Sequence, residues 1–132
     1  MVLRVAIPSD APGGLDAPMA RHFGHCDCFT IVDLEQGEIR GVYVVDNAPH
    51  SQGGCMVPVT MLARERVNVL IAGGMGMRPL LGFLKSGIDV LQDTMSQTVK
   101  DAIRAYLNNT LSRFSQDDAC KGGGGGPGHC DH

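Results

Sequence analysis

The chain has 132 residues, enough for one ordinary domain with a self-sufficient core and no room for a second. Its net charge of −3 and pI near 5.9 argue against a phosphate-backbone binder, and its 11 Lys and Arg residues are scattered singly. No apolar stretch approaches the ~18 residues needed to cross a bilayer, and the start lacks a basic leader and an h-region, so a cytoplasmic protein is expected, with no membrane contact.

Residues 2–8 read as a buried strand ended by Pro8, followed by a loop rich in Pro, Gly, Asp and Ala over 9–22. Residues 26–34 and 39–46 read as two further strands. The short turn Glu35-Gln36-Gly37-Glu38 makes them an antiparallel hairpin. A loop over 47–54 leads into a helix over 55–66, where Pro58 fits only the first turn. Residues 67–72 are a short apolar strand and 79–86 a helix closed by Gly87. Residues 88–91 are a strand. Thr94 and Gln97 then read as a capping box for a helix carrying Val99, Ala102, Ile103, Tyr106 and Leu107.

The order β-β-β-α-β-α-β-α predicts a mixed sheet with helices on both faces. Right-handed crossovers place strands one, four and five in parallel. The expected fold is α/β, a three-layer α/β/α sandwich with a mixed five-stranded sheet, ribonuclease H-like in arrangement. It spans residues 1–108. Residues 109–132 read as an extension whose Gly122–His132 end is a flexible tail by composition, with five consecutive glycines.

Five cysteines exclude a complete disulfide framework and direct attention to metal ligation. The densest cluster runs Arg21-His22-Phe23-Gly24-His25-Cys26-Asp27-Cys28. On a strand Cys26 and Cys28 would share a face roughly 6.6 Å apart. Two thiolates so placed can ligate a soft metal or a cluster, with His22 and His25 curling toward it. Against this, small thiols on a buried strand are often plain core residues. Cys55 opens the first helix, where the positive end of the helix dipole favours a thiolate, and is a candidate third ligand. His50 nearby reads as a loop residue. Gly73, Gly74 and Gly76, with Arg78, form a strand–turn–helix start whose free N–H groups can cradle an anion. The turn is neither Gly-x-Gly-x-x-Gly nor a P-loop. Cys120 and the closing His129-Cys130-Asp131-His132 are weaker metal candidates.

His22-Phe23-Gly24-His25 leading into a strand that reaches Ile31-Val32-Asp33, then Asn47 and His50, then Ile71-Ala72-Gly73-Gly74-Met75-Gly76, resembles the dinitrogenase iron-molybdenum cofactor-binding domain family. The resemblance covers roughly residues 1–108. It implies a ribonuclease H-like fold without nuclease activity, and the binding or carriage of a metal–sulfur cluster, Fe–S or Mo-containing. It also implies donor or acceptor proteins for that cluster. Cys26 and Cys28 are not general to the family and add the prospect of thiolate ligation here. A cluster bridging two chains would make a homodimer. The alternative is a zinc-binding or small regulatory module, which needs about four ligands. A nuclease is disfavoured because the first strand carries no carboxylate. No enzymatic activity is expected.

Overall fold

The computed structural model describes residues 2–20, 26–47 and 56–114. Strand β1, Leu3–Ser9, forms the middle of the sheet. Val5, Ala6 and Ile7 are fully buried, as a strand covered on both faces requires. β1 runs on through Pro8, where the sequence pattern placed its end. Its ladder with β4 covers only Val5 and Ala6, so the missing N–H of Pro8 costs no bond there. The Pro8 carbonyl instead accepts the Ala20 N–H at 2.9 Å.

β2, Cys28–Glu35, and β3, Glu38–Asp46, form the expected antiparallel hairpin around Gln36 and Gly37, both with positive φ. α1, Met56–Arg64, is shorter than the apolar spacing suggests. Arg66 adopts φ 61°, and the Val67 N–H reaches back to the Leu62 carbonyl, which closes the helix. β4, Val69–Ala72, α2, Met77–Lys85, and β5, Asp89–Gln92, follow. Gly87, at φ 82°, lets the Ile88 N–H bond the Phe83 carbonyl and ends α2.

α3, Val99–Leu107, starts later than the Thr94–Gln97 reading predicts. Its capping box is Thr98 with Asp101. Residues 93–96 are occupied by a different turn. The Asp93 Oδ1 accepts the N–H groups of Met95 and Ser96 at 3.0 and 2.8 Å, and Oδ2 accepts the Ser96 hydroxyl at 2.6 Å. A sixth strand, β6, Ser112–Arg113, pairs antiparallel with β5, so the sheet has six strands where five were expected. Phe114 beyond it is buried, and the packed body continues to that residue.

The sheet order is β3-β2-β1-β4-β5-β6, with β1, β4 and β5 parallel. Strand alternation divides the core between two faces. Phe29, Ile31, Leu70 and Ala72 pack under α1 and α2 with Leu62, Leu80, Phe83 and Phe114. Val5, Ile7, Val32, Val69 and Ile71 pack under α3 with Val99, Ala102 and Ile103. The Gly122–His132 tail lies outside the described residues.

Phe83→Ala is expected to cost about 3–5 kcal/mol in denaturant unfolding, and Thr98→Ala about 1 kcal/mol. The reverse ranking would place the main packing term outside the α2 cluster.

Candidate functional site

β1 meets an antiparallel neighbour on one side and a parallel one on the other. The chain leaving β1 turns toward β2, and the chain leaving β4 turns through Gly73–Gly76 toward α2 and β5. The two connections diverge at the carboxyl ends of β1 and β4, the position where open α/β sheets form a ligand crevice. The start of β2 and the end of β3 lie at the same edge, since Cys28 pairs with both Ser9 and Asp46.

One wall is held firmly. The Asp10 N–H donates to the Pro18 carbonyl, and Met19, Val99 and Lys100 N–H groups bond the Gln97, Ala17 and Leu15 carbonyls, tying residues 10–20 to the start of α3. The Ala11 N–H donates to the Asp27 carboxylate at 3.0 Å. Gly13, at φ 79°, is pressed inward. A Cβ there would lie 2.8 Å from both Val44 methyls and 3.2 Å from the Cys28 Sγ.

The two described cysteines differ from the expectation of a shared strand face. β2 begins at Cys28, and Cys26 precedes it. Cys28, 2% exposed, belongs to a polar network on the α3 side. Its thiol donates to the Ser9 carbonyl at 3.6 Å and lies 3.5 Å from the Ser9 hydroxyl. The Ser9 and Thr30 hydroxyls are 2.8 Å apart, and Thr30 Oγ1 accepts the Gly14 N–H at 2.9 Å. Cys26, 4% exposed, sits instead in the cluster that holds Ala20, Phe29, Met75 and Leu80. Asn47 Nδ2 donates to the Cys26 carbonyl at 2.9 Å and approaches its Sγ at 3.6 Å, while the Asn47 N–H bonds the Asp27 carbonyl. Burial first, and the neighbouring Cys28 second, push the Cys26 thiol from 9.0 up to about 12. It is therefore a neutral thiol at physiological pH.

Gly73–Gly76 is the turn that leaves β4 on the other side of the divergence. Gly76 caps α2 with no side-chain bond to the helix start, leaving its first peptide N–H groups for an anion. Met75 is buried and anchors the turn in the Cys26 cluster, and Arg78 is exposed one residue into the helix. Among the described residues, no three His, Cys, Asp or Glu side chains converge as a metal site. His22, His25, His50, Cys55, Cys120, His129, Cys130 and His132 lie outside the described residues. The sequence reading missed Ser9 and Thr30, which appear only as polar residues inside apolar strands. It also missed Asn47 as the partner of Cys26, because no local pattern pairs residues 21 positions apart.

The profile of a family described as dinitrogenase iron-molybdenum cofactor matches residues 1–109. An uncharacterised protein of Methanocaldococcus jannaschii is 26% identical over 86% of this chain and 92% of its own. The apo form of the orange protein of Desulfovibrio gigas superimposes with a TM-score of 0.74 at 27% identity, covering 83% of this chain and 91% of that one. A Thermotoga protein described as a candidate NifB, of the DUF35 family, is 30% identical with a TM-score of 0.70, covering 85% and 93%.

Two outcomes follow from this geometry. Gly13→Ala is expected to destabilise the protein by about 1–3 kcal/mol, through the positive φ and the contact with Val44. Unchanged denaturant unfolding would mean that residues 10–20 can move away from β3. For Cys26, the unfolded thiol ionises near 9.0 while the folded one stays protonated to about 12. Its contribution is present below pH 9.0 and is lost as pH rises toward 12, by at most ~1.4 kcal/mol per pH unit. The pH dependence of unfolding should flatten over that window in Cys26→Ala.

Proposed function

The chain belongs to the dinitrogenase iron-molybdenum cofactor family, and on that premise we propose that it binds, carries or helps assemble a metal–sulfur cluster, Fe–S or Mo-containing, rather than catalysing a reaction. The cluster is cargo. The observation that carries this reading is the divergence of the two connections at the carboxyl ends of β1 and β4, with a strapped loop on one side and, on the other, an α2 start that no side chain caps. Metal–sulfur clusters are commonly anionic. Oriented peptide N–H groups and the Arg78 guanidinium offset that charge without requiring a covalent ligand. We read the sheet order as ribonuclease H-like, with residues 1–108 as the cluster-binding unit and 109–132 as its extension.

Cys26, Cys28 and Cys55 are the proposed thiolate ligands, with His22 and His25 beside them. Ligation would require Cys26 to lose its proton, because the free protein holds it neutral. Loading through Cys26 should therefore release a proton and tighten as pH rises. Cys28 would have to exchange its bond to the Ser9 carbonyl for the metal. Among the described residues, no helix is long and apolar enough to cross a membrane. We place the protein in the cytoplasm, exchanging its cluster with donor or acceptor proteins, with a cluster-bridged homodimer as one form of the loaded state.

The test is anaerobic purification, or reconstitution with iron, molybdate and sulfide, followed by visible absorption and counts of metal and acid-labile sulfide. The expected result is a coloured protein whose cluster content falls in Cys26→Ser, Cys28→Ser and Cys55→Ser. Cys120→Ser and Cys130→Ser should change it little, because tail thiols must be ordered on binding. Full occupancy in the first three variants would remove thiolate ligation and leave anion binding at Gly73–Arg78. A colourless protein holding only zinc would overturn the cluster reading.

A further inference from the structure

α1 and α2 together cover one face of the sheet. Their sequences hold three basic residues, Arg64, Arg78 and Lys85, and no Asp or Glu. The whole chain runs the other way, with 14 acidic to 11 basic residues. α3, on the opposite face, mixes Lys100, Asp101 and Arg104. The nearest acidic residues in sequence, Glu65 after α1 and Asp89 at the start of β5, lie at the end of the sheet where Arg64 and Lys85 close their helices, and Arg78 stands at the other end. Among the described residues, Arg64, Arg78 and Lys85 form no ion pair.

The same surface is apolar where a solvated helix would be polar. Pro79, Leu80 and Phe83 point α2 into the core. Leu81 and Leu84 remain 41% and 45% exposed. At 100° per residue, Arg78, Leu81 and Lys85 fall on one outward stripe, with Leu84 along its flank. The stripe begins one residue inside α2, next to the Gly73–Gly76 turn.

We propose that this outward stripe of α2 is a docking surface for an acidic amphipathic helix of a partner protein. Leucines on the partner would cover Leu81 and Leu84, and its carboxylates would meet Arg78 and Lys85. A partner seated there reaches the Gly73–Gly76 turn, as handing over a cluster held at that turn requires. That purpose rests on the cluster-carrying reading; the surface itself does not.

The probe is a synthetic helical peptide with leucines at i, i+3, i+4 and i+7 and glutamates elsewhere, with a lysine-for-glutamate peptide as control. Binding is followed by amide chemical shifts on cluster-free full-length protein. The expected result is shifts confined to α2 with the acidic peptide, weakened by salt. The triple variant L81Q/L84Q/K85Q should lose about tenfold or more in affinity, with an unchanged melting temperature and unchanged cluster loading. Equal binding of the lysine peptide, shifts elsewhere, or no binding would overturn the proposal. Movement of α2 amides in D117N/D118N without peptide would also overturn it, by assigning the stripe to this chain's own acidic segment. Self-association abolished by L81Q/L84Q would assign it to a second copy. Peptide binding without cluster loading would sink the cluster reading alone, and loading without peptide binding would sink this inference alone.

Discussion

Strand β1 has to satisfy two different ladders at once. Along one edge it runs antiparallel to β2 for its full length, from Leu3 opposite Leu34 to Ser9 opposite Cys28. Along the other it runs parallel to β4 over Val5 and Ala6 only. Antiparallel neighbours can be joined at one end of the sheet, as residues 10–27 join β1 to β2, whereas parallel neighbours need a crossover. The chain can meet both demands only by leaving β1 toward the hairpin and returning through α1. The buried run at Val5, Ala6 and Ile7, the helices on both faces and the divergence of the two loops all follow from that. The difference in ladder length also explains Pro8, which a central strand paired throughout on both sides would not tolerate.

The divergence of the two connections is thus a product of topology, but the chemistry beside it is set by burial. Two buried thiols lie at or just before the start of β2, and the surroundings treat them differently. Cys28 is a hydrogen-bond donor within the Ser9–Thr30 network, beneath a glycine that no larger residue could replace without a clash. Cys26 is a desolvated thiol in an apolar cluster, approached by the Asn47 amide. A desolvated thiol resists ionisation and is inert until something compensates the charge. A metal is such a compensation. Metal-free protein therefore keeps Cys26 protonated, and ligation through it would be coupled to proton release.

Charge is distributed with the same economy of means. In an acidic chain, the described carboxylates lie in the strands, loops and α3, and the α1 and α2 sequences carry only basic charge. At one end of the α1–α2 layer Gly76 opens α2 and Arg78 follows two residues later. Arg78 stands at the start of α2, whereas Lys85 lies in its last turn, with the exposed Leu81 and Leu84 between them.

Local pattern alone determined the order of the main elements. The apolar run 67–72 read as a buried strand, of which Val69–Ala72 pairs, Gln36–Gly37 marked the hairpin, and Gly87 marked the end of α2. These features depend on neighbours within a few residues, so they survive in the one-dimensional pattern. The motifs from His22 to His25 and from Ile71 to Gly76 likewise pointed to the family, which the match over residues 1–109 established. Tertiary structure decided the rest. Thr94 had the right chemistry for a cap, but the Asp93 turn closed at Ser96 and moved the helix start to Thr98. β6 is two residues long and exists because Leu91 and Gln92 offer it an edge. Whether Cys26 and Cys28 share a face depended on where pairing with Ser9 and Asp46 begins, and that register is set by contacts 18 and 19 residues away along the chain. Hydrogen-bond partners so distant leave no periodicity in a sequence; only folding brings them together.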